Sequence, residues 1–159
     1  MRTASIRNLP FAAKVFQDTA DPFNRLTGVM ANRLKLEEQT DADLIYYNET
    51  YCSFVLVQYK SMDRGSKGPE LRWRKNDKLS EEIARMDVLL ETLGTLPADE
   101  SVASFRLHTN PFFLKLCPRI IFNPDDKGLF PGMYLPLDLW RRLARDPATR
   151  GIHGGRFIS

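Results

Sequence analysis

After Asp21 and Pro22, apolar residues recur at helical spacing: Phe23, Leu26, Met30 and Leu34 would share one face. An acid followed by proline is a helix-start signal, so a helix is expected from about residue 21 to 38. Its last turn would carry Glu37 and Glu38, which oppose the helix dipole. Upstream, residues 1–20 are only weakly periodic; Phe11, Val15 and Phe16 allow no more than a short helix. The pattern then changes to strands. Asp43 to Tyr47 and Phe54 to Lys60 form a hairpin around Asn48, Glu49 and Thr50, residues that suit a turn. Centring the turn between Thr50 and Tyr51 puts Asp43 across from Gln58. Side chains alternate along a strand, so Gln58 and Lys60 share a face and Tyr59 points away.

Ser61 to Pro69, rich in Gly, Ser and charge, reads as a mobile loop. Glu70 to Arg74 alternates, with Leu71 and Trp73 inward, and reads as a third strand. Asp77 or Ser80 can cap the next helix, whose stripe is Leu79, Ile83, Met86, Leu90 and Leu93, stopped by Gly94 with Pro97 beyond. Val102 to His108 and Phe112 to Leu116 read as two further strands, the second prolonged by Ile120 and Ile121. Residues 123–128 are a turn cluster. A final helix is expected from about Pro136, ended by Asp146 and Pro147. This order fits an α/β (α+β) domain with a central mixed β-sheet flanked by helices. The expected limits are an N-terminal extension over 1–20, the α/β domain over 21–146 and a C-terminal tail over 147–159. The tail has no stop signal of its own and reads as the cut end of a longer protein.

The chain's 159 residues, 43% apolar and 27% charged, suit one globular domain with a core of its own. A net charge of +3 is too small to argue for nucleic acid. Its distribution says more: from Lys60 to Lys78 seven basic residues stand against three acids. Arg64, Lys67, Arg72, Arg74 and Lys75 could grip phosphates there, although such runs are often only solvated loops. Arg141, Arg142 and Arg145 give a second basic face, for nucleic acid or for solubility. Cys52 and Cys117 have neither disulfide-framework nor zinc spacing. No signal-peptide stretch and no run near ~20 apolar residues occurs, so no membrane partner is expected, and the location is cytoplasmic, or nuclear in a eukaryote. His108 and His153 are the only histidines; there is no local Ser/His/Asp or Cys/His signature and no glycine-rich phosphate loop.

The hairpin carries a more specific pattern. Asp43 with Leu44 and Ile45, then Val57, Gln58, Tyr59 and Lys60, resembles the PD-(D/E)xK nuclease superfamily, in the Gln-x-Lys variant of Mrr-type restriction endonuclease domains. The resemblance covers roughly residues 22–93, about half the chain, on a short and degenerate pattern. It implies a restriction-endonuclease-like fold and Mg²⁺ or Mn²⁺ held by the Asp43 carboxylate, the Gln58 amide oxygen and the Tyr59 backbone carbonyl. Lys60 would stand beside the attacking water and stabilise the phosphate. An acid from the first helix often joins the metal in this superfamily, which nominates Glu37 or Glu38. Glutamine is neutral where most members carry an acid, which leaves one formal charge fewer at the metal, so a second acid would help.

By that resemblance the chain would be a metal-dependent DNA endonuclease domain of a bacterial restriction or anti-phage defence protein, with further domains choosing the target. Double-strand cutting usually takes two such sites, which would mean a homodimer; no motif supports one. The alternatives are a catalytically inactive nuclease-like module that binds nucleic acid or a protein, and a structural module in which the hairpin is simply core. Each residue also has a plainer role. Asp43 could only cap a strand, and Lys60 could end one in solvent. Gln58 stands out because a polar amide follows four apolar residues on an expected buried strand, and buried polar groups need partners.

Overall fold

The computed structural model describes residues 13–31, 35–66, 68–74, 77–97, 101–102, 109–119, 131–149 and 156–158. Among the described residues are eight strands, three α-helices and a 3-10 turn, an α+β chain with a mixed sheet. Contacts divide it into two units, residues 1–58 with 85–112 and residues 59–84 with 113–159.

In the first unit, β1 (Ala13–Gln17), β2 (Arg25–Met30), β3 (Leu44–Asn48) and the first half of β4 (Ser53–Arg64) pair antiparallel in chain order. The helix expected over 21–38 is therefore corrected: most of it is the β1–β2 turn and β2. Asp21 does not start a helix; its carboxylate accepts the Phe23 N–H at 3.0 Å, and Asp18 accepts the Ala20 N–H at 2.9 Å. These are side-chain-to-backbone turns, the competing use of a capping residue. Leu26 and Met30 are four apart, which satisfies a period of 2 as well as one of 3.6. Thr27 and Val29, β-branched and stiff at χ1, tip the choice to strand. Phe23, the first residue of the supposed apolar stripe, is 85% exposed. The short helix expected near Phe11, Val15 and Phe16 is likewise replaced by strand β1. What remains helical is α1, Lys35–Thr40.

The β3–β4 hairpin keeps its expected register. Leu44 pairs with Val57, Ile45 with Leu56 and Asn48 with Ser53. The Asn48 side chain accepts the Tyr51 N–H at 3.1 Å, and Cys52 takes the left-handed conformation, φ 46°, to bring the chain back. Tyr47 and Phe54 stack across the strands at 4.6 Å. Ala31, Ala42 and Val57 are sealed from solvent, with Ile45 and Leu56 nearly so.

The second unit is built on the remainder of β4, on β5 (Pro69–Trp73) and on β8 (Arg156–Ile158), paired antiparallel. The loop expected over Ser61–Pro69 is shorter than read: β4 continues to Arg64, and Gly65 to Gly68 make the turn, closed by Gly65 N–H on the Gly68 carbonyl at 2.8 Å. A Cβ at Gly65 would overlap the buried Glu70 side chain, so glycine is needed for that close approach. The expected inward pair, Leu71 and Trp73, is buried. A second hairpin joins β6 (Phe112–Pro118) to β7 (Met133–Pro136), with Leu114 opposite Leu135. From Pro136 the chain enters α3 (Leu137–Arg145), which buries Leu137 and Trp140; Trp140 meets Trp73 at 4.5 Å. Strand β1, paired with β2, lies before residue 21, and β8, paired with β5, lies after residue 146.

Helix α2 (Lys78–Gly94) is capped by Asp77, whose carboxylate accepts the Ser80 N–H at 2.9 Å. Leu79 and Met86 of its expected stripe are buried. The expected strand over 102–108 falls largely outside the described residues, as do Ile120, Ile121 and the turn cluster at 123–128.

Candidate functional site

Asp43 lies one residue before β3. The paired register ends at Leu44 and Val57, so Asp43 and Gln58, expected to face each other, are the first residues beyond its last pair. Its backbone is fixed on both sides. The Asp43 N–H donates to the Val57 carbonyl at 2.9 Å, and its own carbonyl accepts the Ala31 N–H at 2.9 Å. The first bond is one residue short of the regular partner, so the strand bends here rather than running straight. The Asp43 side chain is half-buried. Gln58 is only 7% exposed. No described residue hydrogen-bonds its amide, yet no sealed side-chain N or O lacks a partner among the described residues. The amide therefore reaches the surface and meets its hydrogen-bonding needs outside the described protein groups.

Two residues upstream, Asp41 is buried and left-handed at φ 50°, a conformation that aspartate tolerates just past a helix end. Arg85 of α2 grips its carboxylate with both prongs, Nε to Oδ2 and Nη2 to Oδ1 at 2.6 Å each. Such a fork-to-fork pair is among the stronger protein hydrogen-bond arrangements. It commits Asp41 to the fold and anchors the chain just before Asp43.

In the second unit, Lys60 makes an ion pair with Glu82 of α2. The Lys60 side chain is 17% exposed and that of Glu82 only 5%. Lys78, itself largely exposed, stands 3.9 Å from the other carboxylate oxygen. Sequence reasoning did not pair Glu82 with Lys60. The signal was present: Glu82 sits three residues after Leu79 and four before Met86, inside the apolar arc of α2, where an acid needs a cation.

The basic residues of the expected phosphate grip divide. Arg72 is tied to the buried Glu70 through Nε and Nη2 at 3.0 and 2.8 Å, while Arg64 and Arg74 are exposed. Lys67 and Lys75 lie outside the described residues, as does the side chain of Glu37; Glu38 is exposed on α1. Among the described residues, two groups titrate away from their usual values. The Cys52 side chain, through a hydrogen bond and its charge, pushes the Tyr47 phenol up. Burial pushes the Cys117 thiol up against the opposing charge of Lys115. Tyr47 belongs to the turn end of the hairpin, away from Asp43.

Among the described residues no three His, Cys, Asp or Glu side chains cluster to hold a metal, and no helix is long and apolar enough to cross a membrane. One carboxylate with an amide and a carbonyl oxygen remains a hard-oxygen donor set, of the kind Mg²⁺ takes while keeping several waters. Comparison with protein-family models, curated proteins and solved structures gives no match.

Proposed function

We propose that the chain is a metal-dependent DNA endonuclease domain of restriction-endonuclease-like type, the effector of a bacterial restriction or anti-phage defence protein. The observation that carries the reading is the hairpin end. There Asp43 and a buried glutamine, whose amide has no partner among the described residues, follow directly on the last pair of the ladder, Leu44 and Val57. Asp43, Gln58 and the Tyr59 carbonyl would hold Mg²⁺ or Mn²⁺. The cation would supply charge to polarise a phosphate and to lower the pKa of a bound water. Lys60, the second residue after Gln58, would donate to the phosphate as negative charge builds. The test is relaxation of supercoiled plasmid with Mg²⁺, alongside Mn²⁺ binding followed by its paramagnetic resonance signal. Nicking is expected from the wild type and not from Asp43→Ala or Lys60→Ala, and Asp43→Ala should also release Mn²⁺. A folded wild type that leaves the plasmid intact and binds no Mn²⁺ overturns the proposal.

One observation favours a second reading. Lys60 is engaged by a carboxylate more buried than itself, a demand the fold makes on the side chain the chemistry would need. A nuclease-like module that binds nucleic acid without cutting it would use Lys60 in this way. DNA binding that survives both substitutions, with no nicking by the wild type, identifies that case.

A further inference from the structure

The second unit contains a cleft of about 590 Å³ at the β4–β5 turn, bounded on the other side by the end of β6. Its lining includes Asp63, Arg64, Gly65, Ser66, Gly68 and Arg119. Arg64 makes no ion pair with any described residue. Arg119 does, through Nη2 to Asp63 at 3.3 Å, but the two side chains are 69% and 60% exposed. An ion pair so open to water contributes little and is screened by salt. A phosphate offers the same guanidinium a bidentate, charge-assisted contact, which is stronger. Ser66 adds a hydroxyl, and the two glycines of the turn also line the cleft.

We propose that this cleft binds the phosphodiester backbone of DNA. Arg64 and Arg119 are the phosphate clamps, and Asp63 is the counter-ion that the phosphate displaces from Arg119. The choice of DNA rests on the function proposed above; the phosphate chemistry rests on the cleft alone. Arg119 lies outside the basic run that sequence pattern nominates, and Asp63 acquires a definite, opposing role. The sign of its effect is the distinctive part. Removing an acid from a generic basic surface changes affinity only through net charge, but removing this one frees a clamp.

The experiment is fluorescence anisotropy of a short labelled DNA duplex with the full chain in EDTA, so that binding is read without cutting. Arg64→Ala and Arg119→Ala should each weaken binding roughly three- to tenfold and lower the salt slope by about 1. Asp63→Asn should tighten binding, and should do so much less when Arg119 is already alanine. All three side chains are exposed, and circular dichroism checks that each variant folds. A parallel titration with a labelled mononucleotide separates the sources of phosphate. Binding of the duplex alone assigns a polymer backbone, whereas equal sensitivity of the mononucleotide to the same variants assigns a free phosphoryl ligand at the same clamps. The proposal is overturned if no variant changes the affinity for either ligand, or if Asp63→Asn tightens binding equally with and without Arg119. Failure of plasmid nicking with these EDTA results intact removes the nuclease reading and leaves the phosphate site standing.

Discussion

Substituting methionine for Lys60 removes the cation beside Glu82 while keeping a stem of similar length. Glu82 would then hold a carboxylate 5% exposed with, among the described residues, only Lys78, 86% exposed and 3.9 Å away, for company. Breaking a buried ion pair by deleting one partner costs about 3–5 kcal/mol, because the other charge stays desolvated. The screened help from Lys78 puts Lys60→Met near the lower end of that range. Glu82→Leu should cost less, about 2 kcal/mol, since the Lys60 side chain is 17% exposed and long enough to turn its ammonium to water. The double variant has no charge left to strand and should fall within about 1 kcal/mol of wild type. Urea denaturation measures all four proteins. With a slope of about 1–3 kcal/mol/M, a loss of 3 kcal/mol moves the midpoint by roughly 1 M or more. The coupling energy should exceed about 1.5 kcal/mol. If the single effects simply add, or if both lie below about 0.5 kcal/mol, the pair is a surface contact and the account of a buried, fold-demanded lysine is wrong.

Two further outcomes follow from other features. Asp77→Ala removes the carboxylate that accepts the Ser80 N–H, and should destabilise the protein by about 1 kcal/mol, read as a lower thermal midpoint; an unchanged midpoint would remove Asp77 as the cap. Burial raises the folded-state pKa of Cys117, so its contribution to stability is present at neutral pH and is lost as pH rises from the ordinary thiol value of about 8.5 through the raised one. Wild type should therefore lose more stability on alkaline titration than Cys117→Ala, and parallel profiles would contradict this.

How much of the molecule could be read in advance depended on whether a signal was local. The β3–β4 register was legible because turn residues at 48–50 and the alternation on either side fix a hairpin without outside help. Helix α2 was legible from its cap, its stripe and its glycine stop, and α3 from Pro136. Strand β2 was not, because Leu26 and Met30 satisfy two periods and Asp21 has two uses in a chain, capping a helix or closing a turn. The partners of Lys60 and Asp41 lie 22 and 44 residues away, so no window of local sequence contains them. What was legible near the candidate site was thus the hairpin register up to Leu44 and Val57, which leaves Asp43 and Gln58 at the same end of the hairpin. The ion pairs of the nearby residues depend on tertiary structure and were not.

The lock on Asp41 has a bearing on which ion the hairpin could prefer. Asp43 follows a pinned residue and is itself held by two main-chain bonds, so its position leaves little room to adjust. Gln58 has a side chain with three rotatable bonds and no protein partner among the described residues to hold it. In the metal site proposed above, one donor would be a fixed jaw and the other a sliding one. Mg²⁺ asks for oxygens at about 2.0–2.1 Å and Ca²⁺ for about 2.3–2.6 Å, a difference that the sliding jaw must absorb. Discrimination between small and large cations would therefore be tuned at position 58, and exchange of that one side chain is the shortest route to a different metal preference.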